Sequence, residues 1–145
     1  AAGVAVKSIV AALSLAATAA FAQPAANDAL WRDLGGTEGI QALAGRFVDG
    51  LYADARIKDF FKETKPSFLK QQLADQFCQL AGGPCVYDGE TMKKAHASMH
   101  VARADFNALV EDLQDAMDAR AIPFAVQRRL LALLAPMHRD IVEPR

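Results

Sequence analysis

The sequence predicts an all-helical fold built as one domain, and three observations point to it. Apolar residues return at offsets of three, four and seven along most of the chain, as in Ile40, Leu43, Phe47 and Leu51, the spacing of one helix face. No segment shows the apolar-polar alternation of a half-buried strand. The periodic runs are separated by the glycine pairs Gly35-Gly36 and Gly82-Gly83 and opened by Pro66 and Pro123, residues that stop and start helices. With 145 residues, 52% of them hydrophobic, there is material for one core and not for two. The formal net charge of -1 offers no electrostatic footprint for nucleic acid or an anionic membrane, and no solenoid-type repeat is present.

The first segment stands apart from the fold. Lys7 precedes the small-residue apolar run "SIVAALSLAATAA", which is too short for a permanent membrane span, and "AFA" at Ala20 to Ala22 suits a signal peptidase. Residues 1–22 are therefore expected to be a cleaved export signal, 23–29 a linker and 30–145 the folded domain, in a periplasmic or secreted protein. Asp28 to Leu34 reads as one or two helical turns ended by Gly35-Gly36. Thr37 is a candidate cap for the helix carrying Ile40 to Leu51, and a short turn over Ala55 to Phe61 ends in two phenylalanines. Pro66 opens a helix whose stripe is Leu69, Leu73, Phe77 and Leu80. Two further runs follow, one of Phe106, Leu109, Leu113 and Met117, the other of Val126, Leu130, Leu133, Leu134, Met137 and Ile141.

Between these lies "YDGETMKKAHASMH", where Thr91 caps a helix with Met92, Ala95, His96 and Met99 on one face. An imidazole in an apolar stripe has two nitrogens to satisfy, so it needs a hydrogen-bond partner, a metal or both. Cys78 and Cys85, seven apart across the Gly-Gly-Pro turn, are open to two readings: a disulfide, which an exported protein permits, and a pair of buried thiols. No CxxCH haem-attachment sequence and no zinc spacing is present.

Four stretches carry a family resemblance. "LWRDLGGTEGI", "ADARIKDFF", "LAGGP" and "YDGETMKKAH" occur in the order and spacing of the group I truncated globins, over about Leu30 to Val142 and with no gap from Leu30 to His96. The resemblance implies a two-over-two helical sandwich around haem, haem b as cofactor, and His96 as proximal iron ligand. A haem slot would then be assembled from Phe47, Phe61, Leu69, Leu73, Phe77, Met92, Leu109 and Leu113. Phe61 matches the phenylalanine packed on the porphyrin, and Tyr87 and Lys94 match positions at its edge, although both also suit a solvated surface.

On the distal side the chain departs from the family. A tyrosine and glutamines often donate hydrogen bonds to the bound ligand there, whereas this chain has Val48, Leu69 and Leu73, with Gln72 the one polar residue nearby. Such a pocket is expected to hold dioxygen weakly and to leave the resting iron five-coordinate or water-bound. "APMHRD" resembles the end of cyanobacterial members, in which the histidine bonds to a haem vinyl, so His138 is a candidate for covalent attachment. His100, four residues past His96, suits a surface position beside the haem edge. The expected function is reversible binding of a diatomic ligand (oxygen, carbon monoxide or nitric oxide), with an electron donor that the sequence does not identify. The alternatives are a haem enzyme detoxifying nitric oxide or peroxide, and a haem-free helical interaction module.

Overall fold

In a computed structural model, Gly3 and residues 27–143 are described; the expected export signal and the first four residues of the linker lie outside this range, Gly3 apart. All regular structure among the described residues is helical: α1 (Ala29–Asp33), α2 (Gly36–Ala53), a 3₁₀ turn (Lys58–Phe61), α3 (Pro66–Leu80), α4 (Met92–Ala95), α5 (Arg103–Ala119), α6 (Phe124–Leu134), a second 3₁₀ turn (Ala135–Met137) and α7 (His138–Ile141). The linker's last residues belong to the fold, since Ala29 opens α1 and the Asn27 carbonyl lies against Gly82.

Local chemistry accounts for most boundaries. Gly35 and Gly36 adopt φ of 92° and 68°, left-handed values that a side chain resists, and so turn the chain from α1 into α2. Thr37 does not cap α2, contrary to the sequence expectation. Gly35 holds the cap position, and the Thr37 hydroxyl accepts a hydrogen bond from the Trp31 indole at 3.3 Å. Pro66 occupies the first turn of α3, where its missing N–H costs nothing. At the other end Gly83 N–H donates to the Cys78 carbonyl at 2.8 Å and Gly82 N–H to Gln79 at 3.1 Å, the paired bonds of a Schellman stop. The helical run after Pro123 is broken near Pro136, which lacks the N–H that would continue the helix. In that run Leu133 turns outward, 38% exposed, whereas Leu130 is fully buried.

The core gathers on α2, whose Ile40, Leu43, Phe47, Val48 and Leu51 are at most 2% exposed. The helix packs against both α3 and α5, and Phe47 stacks on Phe77 of α3 with ring centroids 6.1 Å apart. Gln127 is buried in α6 without penalty, because its amide donates to the Asp118 carboxylate at 2.7 Å and the Ile122 carbonyl at 2.9 Å. The short α4 lies against α7, which brings the segment around His96 next to the end of the chain.

Candidate functional site

Between α3, α5 and the last helical segments an apolar cleft opens. Its wall comes from α2 (Phe47, Leu51), the first 3₁₀ turn (Phe61), α3 (Leu69, Leu73, Gln76, Phe77), α4 and its end (Met92, His96), α5 (Phe106, Leu109, Val110, Leu113), and the C-terminal run from Leu131 to Ile141. All eight residues proposed from the sequence as a haem slot are in this wall. Among the described residues, only His96 and Gln76 bring side-chain nitrogen or oxygen into it.

His96 is held by local geometry. Thr91 caps α4 as expected, its hydroxyl accepting the Lys94 N–H at 3.3 Å. The helix then stops at Ala95, shorter than the apolar stripe implied, and Ser98 and His100 take left-handed φ of 64° and 56°. Ala95 faces solvent, so the shared face reduces to Met92 and His96. One turn back, the Met92 carbonyl lies 2.8 Å from His96 Nδ1. A carbonyl only accepts, so Nδ1 carries the hydrogen and Nε2 is the nitrogen left for a metal. This is the support a metal-bound imidazole normally has: the far nitrogen tied to a backbone oxygen, which fixes ring orientation. His96 also lines a second, smaller hollow together with Met99, Val101 and Phe60 among others.

The remaining sequence candidates are placed differently. Val48 is completely buried but is not in the cleft wall, where its neighbour Phe47 stands. Gln72 also misses the cleft; its side-chain oxygen packs on Gly89 beside the Tyr87 ring. Tyr87 donates its hydroxyl to the Glu90 carbonyl at 2.8 Å, outside the cleft, and burial raises its pKa above the usual phenol range. Lys94 is exposed and pairs with Glu90 at 3.4 Å. His138 does not reach the wall either, because Phe106 takes that place and meets the His138 ring edge-on at 4.9 Å. His100 is exposed, with Nδ1 2.9 Å from Glu143. The two cysteines are joined, Cys78 to Cys85, with α-carbons 5.7 Å apart.

Sequence reasoning missed Gln76, which is only 8% exposed. The available signal was its position, three residues past Leu73 and seven past Leu69, which places it on the inner stripe of α3. A second buried polar group lies where α2 meets α5. Asp54, which closes α2, is bonded by Arg56 and held well below the carboxylate range, whereas burial and a hydrogen bond shared with Asp54 push Asp112 of α5 up to about 7. Asp112 Oδ2 is buried without a partner.

An apolar slot with one backbone-tethered imidazole fits a haem, which needs a large apolar enclosure and one axial nitrogen. Comparison with known proteins agrees in fold and family. The Bacterial-like globin family model matches residues 29–143. A group 1 truncated haemoglobin of Synechocystis is 30% identical over 122 residues, 78% of this chain and 96% of that protein. One from Tetrahymena pyriformis is 28% identical over 113 residues, 78% and 93% of the two chains. The crystal structure of truncated haemoglobin from Tetrahymena pyriformis in the Fe(III) form superimposes with a TM-score of 0.76 at 28% identity, covering 79% of this chain and 98% of that one. The 2/2 haemoglobin of a Synechococcus species, in the cyanomet state with covalently attached haem, shares the fold at a TM-score of 0.73 and 21% identity, covering 78% of this chain and 97% of that one. The chain belongs to the group 1 truncated haemoglobins, haem-binding globins of the two-over-two fold.

Proposed function

We propose that this chain is an exported haem b protein that binds a small diatomic ligand reversibly, with His96 Nε2 as its ligand to iron. The observation that carries the reading is His96 itself, tethered through Nδ1 to the Met92 carbonyl in the wall of an otherwise apolar cleft. When bound, haem would supply an iron centre able to take up dioxygen, carbon monoxide or nitric oxide. The chain's own part is to orient the imidazole and to enclose that centre with Phe47, Phe61, Leu69, Leu73 and Phe77. These side chains exclude water. The two leucines donate nothing to a polar ligand. Both cysteines are engaged with each other, which leaves neither for a thioether to haem and favours the non-covalent b type. Tyr87, bonded to the Glu90 carbonyl, and Lys94, paired with the Glu90 carboxylate, do not enter the wall.

An enzyme turning over peroxide benefits from a titrating acid or base above the iron. Among the described residues the wall has no such group beyond His96, since the amide of Gln76 does not titrate. Ligand binding is therefore preferred to peroxide chemistry. The apolar leader followed by "AFA" supports export to the periplasm or medium, where the Cys78–Cys85 bridge would persist.

The test is titration of the purified chain with haemin, followed by optical spectra of the ferric, ferrous and carbon monoxide forms. One haem per chain is expected in the parent. His96→Leu loses it, and His96→Gly recovers it only with added imidazole. An unchanged ferrous spectrum in His96→Leu would refute the assignment.

A further inference from the structure

Gln76 is buried to more than nine-tenths, and its Nε2 meets only sulfur: Met92 Sδ at 3.3 Å and Met137 Sδ at 4.0 Å. Thioether sulfur is a weak acceptor, so both amide hydrogens keep most of their bonding capacity. A buried amide without an oxygen or nitrogen partner costs stability, and an apolar side chain of the same size would avoid that cost. The rest of this face of α3 is apolar, with Leu69 and Leu73 seven and three residues earlier. His96 is the other N–H donor in the wall, and its Nδ1–H is taken by the Met92 carbonyl. Among the described residues, Gln76 thus presents the one side-chain N–H of the cleft wall that no oxygen or nitrogen accepts.

We propose that Gln76 selects the ligand: its Nε2–H leaves the thioethers and donates to the outer atom of a small ligand held in the cleft. This rests on the haem reading above. The ligands favoured are those whose outer atom carries negative charge and a lone pair, such as dioxygen, azide and cyanide; carbon monoxide gains least. A carboxylate at the haem margin is the competing acceptor. Pairing with it would leave the bound ligand untouched, so the two are separated by a probe on the ligand itself.

The experiment uses the full chain loaded with haem, with carbon monoxide and azide as probes, and compares the parent with Gln76→Met, which preserves volume and removes the donor. Haem remains bound in the variant. The infrared stretch of bound carbon monoxide moves to higher frequency, and azide affinity of the ferric protein falls about three- to tenfold, the range for one neutral hydrogen bond. The haem-free variant melts higher than the haem-free parent, since an unpaired amide has gone. In the parent alone, exchange into deuterium oxide shifts the bound carbon monoxide stretch, a reading that needs no variant. Equal stretch and equal azide affinity in the two haem-loaded proteins would overturn the proposal while leaving the haem reading intact. A parent chain that takes up no haem would overturn both.

Discussion

Reduction of the Cys78–Cys85 bridge is a perturbation whose size follows from chain geometry. The cysteines are seven residues apart, at the end of α3 and just past the Schellman turn. Closing so short a loop removes about 8 cal/mol/K of chain entropy from the unfolded state, equivalent to about 2.5 kcal/mol at 25 °C. For a domain of this size each kcal/mol moves the melting temperature by roughly 3–5 °C, so reduction should lower it by about 10 °C. Cys78 is 1% exposed and Cys85 half-buried. A Cys78→Ala/Cys85→Ala double variant therefore loses the bridge and also leaves a small cavity, and should melt slightly below the reduced parent. The assay is thermal unfolding by circular dichroism at fixed haem loading, with and without a phosphine reductant, and with thiols counted before heating. The neighbour Phe77 lines the cleft, so haem dissociation is followed in the same samples and should quicken on reduction. A melting temperature unchanged within 2 °C, with two free thiols counted, would refute the entropy estimate.

Two further outcomes concern groups outside the cleft. Asp112 has its folded pKa raised to about 7, against about 4 in an unfolded chain, so between those values the folded state holds a proton that the unfolded state has lost. This group's contribution to stability therefore falls as pH rises from about 4 to about 7 and is flat above; Asp54, held low, acts oppositely and only at more acid pH. Urea midpoints at pH 5 and pH 8 should differ less in Asp112→Asn than in the parent, and equal differences would show that Asp112 is not the titrating group. For His138, Phe106 intervenes before the cleft, so haem should extract completely into acid organic solvent from dithionite-reduced protein. Haem retained by the parent polypeptide in mass spectrometry, and released by His138→Leu, would mean that Phe106 yields and the histidine reaches the cofactor.

Most element boundaries were legible in the chain because they rest on chemistry within a few residues. Proline at the start of α3, glycine in left-handed turns at Gly35 and Gly82, and the Thr91 hydroxyl at α4 act locally, and their signals survive without knowledge of the neighbours. His96 was legible for a different reason: an imidazole in an apolar stripe demands a partner, and the flanking "YDGETMKKAH" resembles the proximal segment of one family. What the sequence left undecided were matters of direction. Apolar spacing ran through Ala95 to Met99 as if the helix continued, and only packing against α7 goes with the turn at Ser98 and His100. Val48 and Phe47 are adjacent and both apolar, and nothing in their identity says which one meets the cleft; the stacking of Phe47 on Phe77 decides it. Polarity alone assigns Gln72 and Gln76 alike to the surface. Whether a glutamine faces water or a cavity depends on which helix covers it, and α3 turns Gln76 inward against two methionines from segments 16 and 61 residues away along the chain. The spacing of Cys78 and Cys85 likewise permitted two states, and it is the fold of the glycine turn that brings their α-carbons to 5.7 Å. Local chemistry determined where helices begin and end and set His96 apart as the candidate iron ligand; long-range packing, which no window of sequence contains, determined what surrounds that residue.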